Sequence, residues 1–162
     1  MDNAPVELWL PAAGDALPEC LLGVPLLSLP VGDSFFKLVT SSVWTPLTWG
    51  DSVRAVPPPD GGYSVRALAA AGPHVRAVVT YEPTVAAMSA RTVAQAWGER
   101  GAVAIETAPG LFVTAWSPEL DGAAVRDALA ASIGADDRWS VLEVWEPHER
   151  TPEAIAAHFP TQ

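Results

Sequence analysis

His74-Val75-Arg76-Ala77-Val78-Val79-Thr80-Tyr81-Glu82 decides how this chain is read. Val75, Ala77, Val79 and Tyr81 alternate with Arg76, Val78, Thr80 and Glu82, the period of a strand with at least one firmly buried face. Pro83 and Thr84 end it, and Thr84 is the expected N-cap of a helix running to about Trp97. Val85, Met88, Val93 and Trp97 fall near one side of that helix, and Gly98 stops it. Ala102 to Thr107 and Leu111 to Trp116 are apolar runs joined through Ala108-Pro109-Gly110, a hairpin. Asp121 caps a second helix, whose Val125, Ala128, Leu129 and Ile133 recur at intervals of one to four residues before Gly134. Trp139 to Trp145 is the last strand. The order β-α-β-β-α-β predicts a ferredoxin-like sandwich, two helices over one face of a four-stranded antiparallel sheet.

Upstream the pattern is less regular. Glu7-Leu8-Trp9-Leu10, Leu26-Leu27-Ser28-Leu29 and Phe35-Phe36-Lys37-Leu38-Val39 are short apolar segments bounded by Gly, Pro or Asp. Ser52 to Val56 and Tyr63 to Leu68 alternate around Pro57-Pro58-Pro59-Asp60-Gly61-Gly62 and read as a hairpin. Downstream, Thr151-Pro152-Glu153 opens a short helix that ends by Phe159-Pro160. The expected class is α+β: a small irregular β module over 1–70, a ferredoxin-like domain over 71–150, and a short C-terminal helix or tail over 151–162.

The chain has 162 residues, enough to bury about 70% of its unfolded surface without disulfide staples. Its longest apolar run, Cys20 to Leu29, is broken by Gly23 and Pro25, so no membrane partner is expected. Asp2 and Glu7 stand where a signal peptide is basic, and the single Cys20 has no internal disulfide partner. The expected compartment is the cytoplasm. Nineteen acidic residues against nine basic ones give a net charge of −10, which repels phosphate backbones and argues against nucleic acid. Residues 99–162 hold eleven acids and four bases, so the later part carries most of the imbalance. It suits either a solvated surface that keeps an apolar chain dispersed or one that steers a basic protein partner.

Chemistry-bearing patterns are sparse. His74, His148 and His158 have no second ligand at a metal spacing, and His148 and His158 lie ten apart with Pro152 between them. Cys20 has no local base or helix N-terminus to lower its thiol pKa and reads as a buried, inert thiol. The chain has no nucleophile-elbow serine and no glycine-rich phosphate loop, so the expectation is no metal, no nucleotide and no other cofactor. Glu82, Glu106 and Glu143 lie in expected strands. Two of them on one uncovered sheet face would push one carboxyl pKa up; otherwise they are a solvent-facing row.

Seven tryptophans carry the least ordinary signal. Trp97 and Trp116 belong to apolar faces. Trp139 and Trp145 are an even number of residues apart, so alternation puts them on one face with Val141 and Glu143. The candidate partner-binding residues are therefore Trp139, Glu143, Trp145 and Glu146. Gly50-Asp51 is the candidate structural turn, with glycine at positive φ and the carboxylate bonded to nearby backbone amides.

Leu29-Pro30-Val31-Gly32-Asp33, Phe35-Phe36-Lys37-Leu38 and Thr48-Trp49-Gly50-Asp51-Ser52-Val53-Arg54-Ala55 together resemble the bacterial domain-of-unknown-function 4265 family. The later stretches Val75-Arg76-Ala77-Val78-Val79, Phe112 to Trp116, Pro118, Ala124-Val125-Arg126 and Arg138-Trp139 extend the resemblance over roughly 26–146. Ala71-Gly72-Pro73-His74 resembles the family's serine–glycine–histidine with the serine position altered. The resemblance implies a bacterial protein and brings no reaction, cofactor or ligand. Three function classes stay open. One is a non-catalytic protein-binding module, for instance an immunity- or antitoxin-like inhibitor facing a basic partner. Another is a small-molecule-binding regulatory domain made by two ferredoxin-like sheets side by side, a homodimer. The third is an enzyme using carboxylates or His74.

Overall fold

The computed structural model describes residues 4–10, 25–43, 45–57 and 62–159. The chain divides into two compact units, Met1–Gly72 with His148–Gln162, and Pro73–Pro147. Cys20, and the turn expected over 58–61, lie outside the described residues.

Five strands make the first unit: β1 (Val6–Trp9), β2 (Leu26–Gly32), β3 (Phe35–Leu38), β4 (Ser52–Val56) and β5 (Tyr63–Ala70). Each pairs antiparallel with the next, and β5 returns to pair in parallel with β1, Leu8 opposite Tyr63, which closes a barrel. Register shifts interrupt β2 between Pro30 and Gly32 and β4–β5 at two places. Such bulges bend strands, which is what closure of short segments requires. Alternation fills the interior: Leu8, Leu26, Phe36, Leu38, Val53, Ala55, Val65 and Leu68 are all buried in one cluster. The C-terminal segment completes it. Thr151 Oγ1 accepts from the Ala154 amide at 3.1 Å, Pro152 opens α3 (Pro152–Ile155), and Ile155 and Phe159 are buried among the barrel's side chains.

The second unit runs β6 (Arg76–Tyr81), α1 (Ala87–Glu99), β7 (Ala102–Ala108), β8 (Leu111–Trp116), α2 (Gly122–Ile133) and β9 (Trp139–Trp145). Its sheet has the order β7-β8-β6-β9, all neighbours antiparallel. Ala90, Ala94 and Trp97 of α1 and Val125 and Leu129 of α2 pack with Val75, Ala77, Val79, Phe112, Trp116 and Trp139 in one core. Asp121 Oδ1 accepts from the Ala124 amide at 2.8 Å and caps α2, and Gly134, at φ 67°, ends it.

Two expectations are corrected. The fold class is not an irregular β module leading into a ferredoxin-like sandwich. The described residues are mostly β, with a closed five-stranded barrel, a separate four-stranded antiparallel sheet and three short helices. The reading went wrong at 1–70, because barrel closure depends on a β1–β5 pairing some 55 residues apart in sequence, which no local pattern marks. Thr84 is also not the cap of the first helix. A tight turn, with the Val85 amide donating to the Glu82 carbonyl at 3.0 Å, delays the helix, and Ala86 occupies the cap position without a side-chain bond. Met88, nine residues before Trp97 and so on the opposite side of the helix, is exposed, and Ala90 and Ala94 face inward with Trp97.

Candidate functional site

The expected tryptophan face depends on unbroken alternation along β9, and β9 is broken. Val78 pairs with Glu143 and Val79 with Val141, so Leu142 is an extra residue without a partner in the register. One inserted residue reverses the side-chain phase beyond it. Trp139 and Val141 therefore share the core side with Val144, while Glu143 and Trp145 point to the opposite side of the sheet. This corrects the placement of Trp139 and Trp145 on one face. Trp139 is 8% exposed, its ring centroid 5.0 Å from Tyr81, 6.1 Å from Trp97 and 6.2 Å from Phe112. It is a core residue.

The three other candidates part company as well. Glu146 Oε1 accepts from the Gly122 amide at 2.7 Å, so this carboxylate serves the N-terminus of α2, where negative charge is favoured. Glu143 is exposed and Trp145 half-buried, and the Trp145 indole Nε1 donates to Glu143 Oε2 at 3.2 Å. Leu142, pushed out by the bulge, is 63% exposed. Structure thus keeps a small corner of β9, Leu142, Glu143 and Trp145, on which an aromatic ring is held by a carboxylate beside an exposed aliphatic side chain. Sequence reasoning missed Leu142, which looks like one more alternating residue. Elsewhere on that sheet side Arg76, Val78, Val113 and Ala115 are buried.

The carboxylates do not form a catalytic pair. Register places Glu106, Val113, Val78 and Glu143 in one row across the four strands. Three strand spacings separate the two glutamates, roughly 14 Å, too far to share a proton. Glu82 lies past the end of β6, its amide bonded to the Arg138 carbonyl at 2.9 Å.

Gly50 has φ 89°, and Asp51 behind it is completely buried. Asp51 Oδ2 accepts from the Thr48 amide at 2.8 Å and from Arg150 at 2.5 Å, and Oδ1 accepts from the Gly72 amide at 2.7 Å. The backbone at Gly72 comes so close that a Cβ there would lie 2.7 Å from the Gly50 carbonyl oxygen. This turn is a junction tying the β3–β4 loop, the end of β5 and the C-terminal segment together. Arg150, 99 residues away in sequence, was not anticipated.

No family model matches the chain. No curated protein and no solved structure matches it either.

His74 Nδ1 lies 2.7 Å from the Trp116 carbonyl oxygen, which can only accept, so Nδ1 carries a proton. His148 and His158 are exposed. Among the described residues no group of three or more His, Cys, Asp or Glu is placed to hold a metal ion, and no helix is long and apolar enough to cross a membrane. Among the described residues Asp136 titrates well away from its usual range. Arg138 donates to it from Nε at 2.9 Å, from its second guanidinium nitrogen at 2.7 Å and from its amide at 3.1 Å, holding the Asp136 carboxyl down at about 2. Because the folded value lies below the unfolded one, the stabilisation is present above the ordinary aspartate range and is lost as pH falls through about 2. A carboxyl NMR titration should show this midpoint, and Arg138→Gln should return it towards about 3.9. A midpoint unmoved by the substitution would refute the assignment to Arg138.

Proposed function

We propose that the protein is a non-catalytic binding module that takes a basic protein partner on the Leu142–Glu143–Trp145 corner of β9, in the manner of an immunity- or antitoxin-like inhibitor. The observation that carries the reading is the Trp145–Glu143 pair itself, an indole oriented by an exposed carboxylate. Such a pair offers a guanidinium or ammonium both a stacking face and a counter-charge. Leu142 supplies exposed apolar area beside it. The overall charge supports the same partner. Among the described residues Asp51, Arg76 and Arg150 are buried, which leaves fourteen acidic against seven basic residues to act on a partner.

The experiment is affinity capture from host extract at low salt, followed by a salt gradient and mass spectrometry, with wild type, Glu143→Gln and Trp145→Ala immobilised in parallel. A basic protein should be retained by the wild type and elute with salt. Glu143→Gln should slow its association, and Trp145→Ala should cost about 2 kcal/mol or more of binding, chiefly through faster dissociation. Retention of no basic protein, or equal retention by all three, would overturn the reading.

A further inference from the structure

The Trp145–Glu143 pair is more particular than a charge beside a ring. The indole Nε1–H is already spent on Glu143 Oε2 at 3.2 Å, so Trp145 has only its ring face left to offer. An indole N–H lies in the plane of its ring, and the carboxylate it bonds therefore stands at the ring's edge and not over its face. Among the described residues the Glu143 side chain makes no ion pair and no hydrogen bond but that one, which leaves Oε1 to accept from outside. The neighbours across the strand pair do not compete for it. Val78, paired with Glu143, is apolar, and Arg76, paired with Trp145, is 1% exposed and out of a partner's reach.

We infer, resting on the reading of Leu142, Glu143 and Trp145 as the partner surface, that this corner selects arginine: the side chain the partner places on it ends in a guanidinium and not in the ammonium of a lysine. A guanidinium is flat and weakly hydrated, and it carries its N–H donors around its rim. Laid on the indole face, it turns that rim towards the ring's edge, where the Glu143 carboxylate stands, so one orientation makes both contacts. An ammonium is a compact, strongly hydrated charge. It bonds the carboxylate as well without the ring, and it must shed more water to sit on the ring. Leu142 offers exposed apolar area to the methylene stem of either side chain, so the discrimination falls on the head group. The net charge of −10 draws arginine and lysine alike and does not decide between them.

Two peptides of equal charge, acetyl-Gly-Arg-Gly-Arg-Gly-Arg-amide and the same peptide with lysine for arginine, separate head-group chemistry from attraction to an acidic protein. Each is titrated into the isotope-labelled full chain and followed by NMR at the Trp145 indole N–H, a signal identified by its loss in Trp145→Phe. The arginine peptide should bind about tenfold or more tightly than the lysine peptide. Glu143→Gln, which keeps an acceptor for the indole and removes the charge, should bring the two affinities to within about twofold. Trp145→Leu, followed at the Leu142 amide, should do the same and decides the matter if Glu143→Gln fails to fold. Equal binding of the two peptides, a preference for lysine, or an arginine preference that survives both substitutions would each overturn the inference. The reading beneath it fails separately. Capture of a basic protein by the wild type beside equal peptide binding keeps the corner as a partner surface and removes its choice of arginine, whereas an arginine preference at Trp145 with no basic protein captured supports the arginine site and removes the protein partner.

Discussion

Arg150→Met should destabilise the barrel by about 3–5 kcal/mol, one of the two largest losses expected for a single substitution in this chain. Both partners of the Arg150–Asp51 pair are fully buried. Removing the guanidinium leaves a carboxylate in the interior that retains only the amides of Thr48 and Gly72. Asp51→Asn should cost a comparable amount for a different reason. An asparagine can place its carbonyl oxygen where Oδ2 lies and accept from Thr48 and Arg150, but its NH2 then faces the Gly72 amide, donor against donor, and the charge that answers the guanidinium is gone. The double variant separates the terms. If the pair's value lies mostly in not leaving a charge alone, then Arg150→Met in the Asp51→Asn background should cost much less than it does alone, with a coupling of about 2 kcal/mol or more. Urea unfolding followed through the barrel amides by hydrogen exchange is the appropriate readout, since a two-unit chain need not unfold in one step. Additive losses, or a single-variant loss below about 1 kcal/mol, would mean that the pair is incidental to the fold.

That junction also shows which parts of this protein can be read from its sequence. Asp121 and Thr151 were legible as caps because a cap is a contact across three residues, stated by the local order of residue types. β6 as a strand with a firmly buried face and the hairpin through Pro109-Gly110 were legible for the same reason. Gly50-Asp51 could be seen as a turn, but not as the place where the C-terminal segment is anchored, because Arg150 lies 99 residues on and an arginine after His148-Glu149 looks like any surface charge. The terminal segment did carry a usable signal: Ile155 and Phe159, four apart, are the spacing of one helical face and mark a segment that packs rather than trails. Closure of the barrel carried none. Its five strands are short, and the parallel pairing that joins β1 to β5 is decided by which edges remain when the other pairings are made. At the candidate site the residue types were right and the geometry was not. A bulge at Ser140-Val141-Leu142-Glu143 has no glycine or asparagine to announce it, so counting by twos carried Trp139 and Trp145 to the same side.

The bulge makes the second large prediction. Trp139→Ala should destabilise the second unit by about 3–5 kcal/mol, whether or not any partner is present. The indole sits among Tyr81, Trp97 and Phe112, stacked nearly parallel to the Phe112 ring at 7° and edge-on to Trp97 at 87°. An alanine there leaves a cavity whose walls are ring faces that β6, β8 and α1 hold in place, so little collapse can offset the loss. Trp145→Ala, six residues further along the same strand, should cost much less in stability, because its ring is only half-buried and its indole N–H bonds an exposed carboxylate. On the proposed reading its effect falls on binding. Melts of the two variants side by side therefore test the phase reversal without knowledge of any partner, since a continuous strand would put both rings in the core or both outside it. Equal losses at the two positions would restore the unbroken alternation and remove Leu142–Glu143–Trp145 as a separate surface. A large loss at Trp139 beside a small one at Trp145 places the inserted residue between them, which only a reversal of side-chain phase at Leu142 produces.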